Sequence, residues 1–422
     1  MTERLEPTLA RQRSARAFNQ VVSASNLLGR DRWWLIGGVA CAGLIVAMLQ
    51  GPWGSRMVDL EVYRVGASAL LSGKDIYSVS EPSSGLVFTY PVFAAVMFAP
   101  FAVMSTPLAQ TAILVLSLVA LWAIVHLTVV AVRAGVGAVR GSAIAWSMPL
   151  SVVAVATHPV LETLLFGQIN LILAALVLAD VLPRNRGRSR GVLVGIAAGI
   201  KLVPGIFIVY FLVTGQRRAA ITAMLTGLGT VAVGFLVQPR ASWAYWTSHA
   251  MDPDRMGGIA YVTNQSILGM SARLMRDPHP PRTVTLTLSA VVVATVLVLA
   301  RRLSQQGDRF TAVGVVATAS LLASPIAWSH HWVWFIPCLG TLVVWALQAP
   351  DGGKSWRWIV VGVATAILVS GPMQFMPKTG LRELDYTLPQ AFVANIFGLL
   401  AVLYLGWATV RAVRPARVPA GT

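Results

Sequence analysis

The chain reads TAILVLSLVALWAIVHLTVVAV between Thr111 and Val132, with no Asp, Glu, Lys or Arg in the stretch. A helix needs about 20 apolar residues to cross the hydrocarbon core of a bilayer. In lipid, every backbone N–H and C=O group must find its partner within the segment, which favours a helix over an isolated strand. The stretch therefore predicts a transmembrane helix.

Similar apolar runs recur along the chain. They are Trp33–Gln50, Ala143–Thr157, Ile169–Leu182, Ala219–Val237, Thr283–Ala300, Phe310–Trp328 and Ala391–Val410. Of the 422 residues, 56% are hydrophobic and only 12% are charged, against roughly 25% charged in soluble domains. We predict an all-α, polytopic integral membrane protein of about twelve helices. Residues 33–410 would form one domain between two cytoplasmic tails, 1–32 and 411–422.

The net charge of +17 comes from basic residues in short segments between the apolar runs. Before the first run these are Arg4, Arg11, Arg13, Arg16, Arg30 and Arg32, and later ones are Arg184, Arg186, Arg188, Arg190, Arg217, Arg218, Arg301, Arg302, Arg411, Arg414 and Arg417. Arginine-rich loops stay in the cytoplasm, so both termini and these loops are predicted to be cytoplasmic. The charge is thereby explained without a nucleic-acid partner.

If successive spans cross the membrane in opposite directions from a cytoplasmic N-terminus, residues 51–110 form a long external segment. Phe88–Met104 is apolar, but counting it as a span breaks the alternation, and Pro91 and Pro100 interrupt it. It is predicted to be a re-entrant or interfacial element.

Arginines flank both ends of Gly191–Thr214, and Lys201, Pro204 and Gly205 interrupt its middle. Two short helices that enter from the cytoplasm and return there would satisfy the charge rule, with Lys201 near the tip. A single proline-kinked span remains the alternative.

The stretch from Met57 to Tyr77 is predicted to form an amphipathic helix at the membrane surface. Val58, Val62, Val65 and Ala69 recur at helical spacing, and Gly73 could end the helix. Asp59 lies near its start, where a carboxylate could either cap the helix or act in catalysis.

Several polar side chains fall at the predicted outer ends of the spans. They are His158, Glu162, Gln168, Asn170, Lys201, Asn264, Gln265, His330 and His331. Polar groups at membrane depth are costly and are functional candidates, although each could also serve as a hydrogen-bond partner between helices. Their convergence on one face of the membrane indicates an active site.

These residues lie in stretches that resemble one family. The stretches are Asp59-Leu60-Glu61-Val62-Tyr63, Phe88-Thr89-Tyr90-Pro91-Val92-Phe93, Gly167-Gln168-Ile169-Asn170, Ile200-Lys201-Leu202-Val203-Pro204, Asn264-Gln265-Ser266 and Ser324-Pro325-Ile326-Ala327-Trp328-Ser329-His330-His331-Trp332. Together they resemble the polyprenol-phosphate-mannose-dependent α-(1→2)-mannosyltransferases of actinobacteria, glycosyltransferase family 87 (DUF2029), which have the GT-C fold. Val92 departs from the family pattern, where a second proline is expected.

The resemblance implies an inverting transfer of mannose from polyprenyl-phosphate mannose to a phosphatidylinositol mannoside or lipomannan/lipoarabinomannan acceptor. It implies a site on the extracytoplasmic face of the plasma membrane, with Asp59 as general base and no metal or other cofactor. Donor phosphate would be bound by Lys201, His330, His331 and Arg64. Substrate-binding residues would be Glu61, Tyr63, Tyr90, Gln168, Asn170, Asn264 and Gln265.

Two other functions remain open from the sequence. One is a GT-C transferase that uses another glycan acceptor or another lipid-linked sugar. The other is a transporter or flippase of a polyprenyl-linked sugar. A flippase needs a polar path through both leaflets, whereas the polar groups here gather on the outer side.

Overall fold

The computed structural model of the protein describes residues 57–137, 142–183, 187–350, 354–378 and 380–413. The predicted first span Trp33–Gln50, most of the two tails, and the loop arginines Arg184 and Arg186 lie outside these residues.

Within the described ranges the chain forms seventeen α-helices, short 3-10 turns and no strand longer than an isolated bridge. The helices are α1 (Val58–Leu71), α2 (Val92–Val103), α3 (Thr106–Val136), α4 (Ala143–Val155), α5 (His158–Phe166), α6 (Asn170–Val181), α7 (Val192–Ile200), α8 (Ile206–Val213), α9 (Arg217–Val237), α10 (Pro239–Thr247), α11 (Ile267–Met275), α12 (Arg282–Gln305), α13 (Arg309–Leu322), α14 (Phe335–Leu347), α15 (Lys354–Ser370), α16 (Leu388–Ala394) and α17 (Ile396–Val413). The predicted all-α class is confirmed.

Five helical segments of the described chain are long and apolar enough to cross a membrane: α3, α9, α12, α17, and α14 together with the 3-10 turn Ser329–Trp334 that precedes it. Helices α4 and α5 add a sixth if they form one broken span, bent by 78°. The predicted total of about twelve stays a prediction, because the first predicted span lies outside the described residues and several apolar runs form shorter helices. The run Phe310–Trp328, for example, ends as helix α13 at Leu322, just before Pro325.

One end of the bundle carries most of the loop arginines, and we call it the basic end. There, Asp308 before α13 pairs with Arg411 of α17 at 2.8 Å. Gln306 after α12 donates to the carbonyl of Ala412 at 2.9 Å. Gln348 after α14 donates to the carbonyl of Gly135 in α3, also at 2.9 Å. The ends of α3, α12, α13, α14 and α17 that carry or border arginines therefore meet on one side.

Helices α7 and α8 form a hairpin against α9. A Cβ on Gly191 would lie 2.2 Å from the carbonyl oxygen of Ala219, and a Cβ on Gly199 would lie 2.2 Å from the hydroxyl of Thr230. Helix α7 therefore runs parallel to α9 from its start. The Arg190 guanidinium, just before α7, lies 5.7 Å from the ring of Phe211 in α8. Both ends of 191–214 are thus near the start of α9, which confirms the predicted hairpin path; its membrane side stays a prediction.

The opposite end of the bundle holds the segment 57–90 and the loop after α9. Gln238 donates to the carbonyl of Lys74 at 2.7 Å. Helix α1 confirms the predicted helix, but its buried face is centred on Leu60, Tyr63 and Ala67, whereas Val58 and Val65 are only half-buried. It packs on helix α2, so much of its apolar surface is covered by protein.

Candidate active site

Helix α1 presents Asp59 and Tyr63 one turn apart. Residues four apart lie on the same helix face. The helix starts after Met57, and no side chain caps its first turn. The capping alternative for Asp59 is therefore not supported, and its carboxylate is free to face the interior of the protein.

The turn after α5 brings Gln168 against α1. Gly167 ends α5 with φ of 66°, a left-handed conformation that favours glycine. A Cβ at Gly167 would lie 2.8 Å from the Cβ of Leu60. Glycine thus allows both the turn and the close approach that place the Gln168 amide beside α1.

Two tyrosines and Gln168 form a buried network. The Tyr63 hydroxyl donates to Oε1 of Gln168, and Nε2 of Gln168 lies 3.4 Å from the Tyr90 hydroxyl. The two hydroxyls are also 3.4 Å apart, and the Tyr63 ring stacks on Phe98 of α2 at 4.2 Å. The network fixes the floor of the site next to Asp59.

Lys201 lies at the tip of the hairpin, where α7 ends and the backbone becomes extended. Its ammonium donates to Oδ1 of Asn170 at 3.0 Å and contacts Nε2 of His331 at 3.2 Å. Because an ammonium can only donate, His331 accepts through Nε2. The ammonium also lies 5.6 Å from the centre of the Tyr90 ring.

Asp59 interacts with the ammonium of Lys201 and with the side-chain amide of Gln168. Burial by the surrounding protein raises the pKa of Asp59 to about 6, while Lys201 and Gln168 act to lower it. A carboxyl group with this pKa is largely ionised at neutral pH and remains basic enough to accept a proton from a hydroxyl.

The structure therefore gathers eight of the predicted residues, which we call the Asp59 cluster. Its members are Asp59, Tyr63, Tyr90, Gln168, Asn170, Lys201, His330 and His331. Of the two histidines, His331 bonds directly to Lys201. His330 contributes its carbonyl oxygen, which accepts from Asn170 at 3.1 Å, while its ring packs edge-on against Phe166 at 5.3 Å. Nε2 of His330 has no hydrogen-bond partner among the described residues.

A second group of polar side chains borders His330, and we call it the Glu162 cluster. The Glu162 carboxylate accepts from Ser329 and from Gln374 at 2.9 Å, and it lies 3.2 Å from Nε2 of His158. Lys378 donates to Gln374 at 2.7 Å. The sequence indicated His158 and Glu162, but Gln374 and Lys378 were missed because they lie more than 200 positions away, in a segment without a motif.

Glu61 and Arg64 do not join the Asp59 cluster. The Arg64 guanidinium donates to the carbonyls of Phe101 and Met104, each at 3.0 Å, and pairs with Glu61 at 2.9 Å. It thus satisfies carbonyl groups at the C-terminal end of α2, where a cation is favourable. Neither residue lies on the helix face that carries Asp59 and Tyr63, and the predicted roles of Arg64 in donor-phosphate binding and of Glu61 in substrate binding stay predictions.

Asn264 and Gln265 also lie apart from the Asp59 cluster, and backbone groups bond to their amides. Asn264 donates to the carbonyl of Ile259 and accepts from the N–H of Ala327, each at 3.0 Å. Gln265 donates to the carbonyls of Val262 and Ala394, each at 2.7 Å. Both residues are fully buried. They hold loops together, and their predicted role in substrate binding stays a prediction.

A narrow cavity adjoins Lys201 at the break of the hairpin. Asn170, Lys201 and His331 form its polar part, and Val203, Phe207 and Trp334 belong to its apolar part. The site thus combines an ionisable carboxylate, a cation at the tip of a hairpin, and an apolar groove next to that cation.

Within a polytopic helical bundle, these features are those of an enzyme that works at a membrane. Residues 88–325 match glycosyltransferase family 87, and the chain belongs to this family. It is therefore a multi-pass membrane glycosyltransferase.

Two relatives are similar over most of their length. The chain is 33% identical over 398 residues, 90% of each chain, to the polyprenol-phosphate-mannose-dependent alpha-(1-2)-phosphatidylinositol mannoside mannosyltransferase of Mycobacterium tuberculosis. It is 32% identical over 367 residues to the corresponding phosphatidylinositol pentamannoside mannosyltransferase of Mycolicibacterium smegmatis, covering 84% of this chain and 86% of the relative. No significant match to a solved structure was found.

Proposed function

We propose that the protein is an inverting α-(1→2)-mannosyltransferase. It would move mannose from polyprenyl-phosphate mannose to a phosphatidylinositol mannoside or lipomannan/lipoarabinomannan acceptor on the outer face of the plasma membrane. The observation that carries this proposal is the gathering of the Asp59 carboxylate and the Lys201 ammonium in one buried site at the tip of the hairpin, where the two charges interact electrostatically. The names of the two relatives supply the donor and the class of acceptor.

In this reaction the 2-hydroxyl oxygen of an acceptor mannose attacks the anomeric carbon of the donor. The bond from that carbon to the phosphate oxygen breaks, and its electron pair remains on the phosphate. The hydroxyl proton passes to Asp59, which acts as general base. Phosphate is already a good leaving group, so a second carboxylate acting as acid is not required.

Lys201 would stabilise the leaving phosphate. Negative charge grows on the phosphate as its bond to the sugar breaks, and a fixed cation in a site of low dielectric stabilises that charge. Asn170 and His331 hold the ammonium in place, at 3.0 and 3.2 Å. The apolar part of the adjoining cavity would receive the first isoprene units of the donor.

The Glu162 cluster offers a place for the acceptor. Its carboxylate and amide groups can bond sugar hydroxyls, and it adjoins the Asp59 cluster through His330. This arrangement would put donor and acceptor on two sides of Asp59.

The placement on the outer face rests on the basic end. Gly199, near the tip of the hairpin, contacts Thr230, which is about 20 Å from the start of α9 at 1.5 Å per residue. If the basic end is cytoplasmic, Lys201 is in the outer half of the membrane and Asp59 approaches it from the opposite end of the bundle.

Transfer is tested with radiolabelled polyprenyl-phosphate mannose in membranes that lack the native enzyme. We expect a mannosylated glycolipid with a new α-(1→2) bond, and Asp59→Asn should lower its rate of formation by roughly 10²- to 10⁴-fold. Asp75→Asn is the matched control, because Asp75 is exposed in the same segment. Near-normal turnover by Asp59→Asn would refute the assignment of the base. Movement of the labelled lipid between leaflets without a new glycosidic bond would instead indicate a flippase.

A further inference from the structure

An open pocket lies at the basic end, on the opposite side of the hairpin from Lys201. It is bounded by the turn between α8 and α9, the end of α12 and the start of α13. Its polar lining comes from Gln216, Arg217, Arg301, Ser304, Gln305 and Arg309. The space amounts to about 810 Å³ including the open mouth. The proposed transfer reaction makes no use of this pocket.

The positive charge of the pocket is not neutralised by the described part of the chain. Arg217, Arg301 and Arg309 make no ion pair and no side-chain hydrogen bond with any described residue. The nearby carboxylate of Asp308 is already used: one oxygen pairs with Arg411 at 2.8 Å, and the other accepts from the N–H of Thr311 at 3.1 Å. Three cations therefore share one pocket without an anion.

The pocket also offers uncharged hydrogen-bond donors. Ser304 and Gln305 of α12 and Gln216 before α9 line the pocket and carry such donors. Behind the lining, the buried hydroxyl of Tyr210 interacts with the side chains of Ser304 and Gln216. Arg217 is the first residue of α9, whose first turn has no side-chain cap. The free N–H groups of that turn therefore add partial positive charge.

We propose that this pocket binds a phosphate group. Guanidinium groups, a hydroxyl and the N-terminus of a helix are the donors that phosphate oxygens select in proteins. Because the pocket lies at the ends of α9 and α12, two helices long and apolar enough to cross a membrane, the phosphate can come from the headgroup of an anionic phospholipid. A soluble phosphate compound has the same chemistry and is the other source.

The bound group would brace the hairpin. It would join the turn that follows α8 to α12 and α13, whereas within the described chain Thr214 and Gln216 bond mainly to each other and to the end of α8. Since α8 leads back to the tip with Lys201, binding should make the hairpin harder to unfold without touching the Asp59 cluster.

Thermal unfolding of the full chain in a neutral detergent tests the proposal. Dioctanoyl phosphatidylglycerol is the lipid probe, dioctanoyl phosphatidylcholine is its zwitterionic control, and inorganic pyrophosphate is the soluble probe. We compare the wild type with Arg217→Gln/Arg301→Gln and with Arg218→Gln/Arg302→Gln. The second pair removes equal charge at the same end, from neighbouring residues that do not line the pocket.

We expect phosphatidylglycerol to raise the unfolding temperature of the wild type and of Arg218→Gln/Arg302→Gln. Its affinity for Arg217→Gln/Arg301→Gln should fall roughly 30-fold, as for the loss of two arginine–lipid contacts. Stabilisation by pyrophosphate with the same dependence on the variants would support the pocket and identify a soluble source.

Equal losses in both double variants would mean diffuse surface charge and would overturn the proposal, as would no stabilisation of the wild type by either probe. A substitution of an uncharged residue controls for the possibility that the charge variants misfold. Ser304→Met should fill the pocket and weaken binding while every arginine remains; unchanged affinity of that variant would also overturn the proposal.

Discussion

Asp59 is the residue from which the pH dependence of transfer follows. A general base works only when ionised, so the rate should fall as the pH drops through the pKa of Asp59. Burial raises that pKa to about 6, whereas an unperturbed Asp titrates near 3.9. We predict that kcat/KM is lost below about pH 6, measured with purified enzyme in proteoliposomes. A profile that stays flat down to pH 5 would contradict this role.

The same pH profile, measured on Lys201→Met, tests whether the charge of Lys201 acts on Asp59, because Met has a similar size but no charge. The ammonium lowers the pKa of Asp59, so its removal should move the acid limb of the profile to higher pH. The rate at the optimum should also fall by roughly 10²- to 10³-fold, the usual cost of losing one charge-stabilising group. An unshifted limb would mean that Lys201 does not act on Asp59.

Glu162 is predicted to bind the acceptor. Its carboxylate is held by Ser329 and Gln374 next to His330. Glu162→Gln keeps the size of the side chain and removes its charge, so we expect the KM for the acceptor to rise about 10-fold or more, as for a lost hydrogen bond to a charged group. The KM for the donor should change little. Equal changes in both KM values would indicate a purely structural role.

The sequence predicted which types of side chain form the site better than it predicted the complete set of residues. Asp59, Gln168, Asn170, Lys201 and both histidines were found because ionisable and amide groups at membrane depth are rarely without a purpose. The same rule selected Asn264 and Gln265, whose amides bond to backbone groups. A sequence shows that a buried amide needs partners, but it does not show whether those partners are backbone or substrate.

The loop before α11 and the turn after α13 are held together by Asn264. Its amide oxygen accepts from the N–H of Ala327 at 3.0 Å and of Ser266 at 3.3 Å. We predict that Asn264→Ala destabilises the protein by about 1–3 kcal/mol, because buried N–H groups lose their acceptor. Activity per folded molecule should stay near that of the wild type.

Asn170→Ala is the contrasting variant, since it frees Lys201. Its activity should fall more than its stability. The comparison requires unfolding temperatures and initial rates on the same preparations. If Asn264→Ala instead loses more activity than stability, Asn264 has a role in the active site.

The helices themselves show where sequence patterns stop being informative. The hairpin of α7 and α8 was predicted from flanking arginines and a break at Lys201, both local signals. The face of α1 was less well predicted: its valines suggested lipid contact, yet Leu60 and Tyr63 pack against the protein interior. Lipid and protein interior are both apolar, so composition alone does not distinguish a lipid-facing side chain from a buried one.

Orientation of the entire bundle is testable by cysteine labelling. In a background without Cys41 and Cys338, we predict that Arg188→Cys and Arg217→Cys react with a membrane-impermeant thiol reagent only after permeabilisation. Asp75→Cys, at the opposite end, should react in intact cells. All three positions, Arg188, Arg217 and Asp75, are exposed. Labelling of Arg188→Cys and Arg217→Cys from opposite sides would disprove the hairpin, and a full reversal would disprove the outer-face site.

For the described residues, the apolar runs predicted the helical architecture, but they do not show which helices cross the membrane alone. Runs such as Ile169–Leu182 form helices of twelve residues, too short to cross a bilayer unaided. Around an active site the bundle contains half-helices and sharp bends, such as the 78° bend between α4 and α5. Such breaks depend on contacts between distant segments, which hydropathy does not record.

The hairpin of α7 and α8 also matters for biogenesis. The hairpin as a whole begins and ends near the start of α9, so with the basic end in the cytoplasm, as predicted, the ribosome-bound chain inserts it without translocating the flanking arginines. The hairpin therefore adds no net crossing of the membrane. Insertion or loss of this unit as a whole during evolution would leave every downstream helix facing the same way, whereas loss of a single crossing would invert them all. The lysine that the hairpin carries could therefore enter the fold without disturbing the topology of the remaining helices.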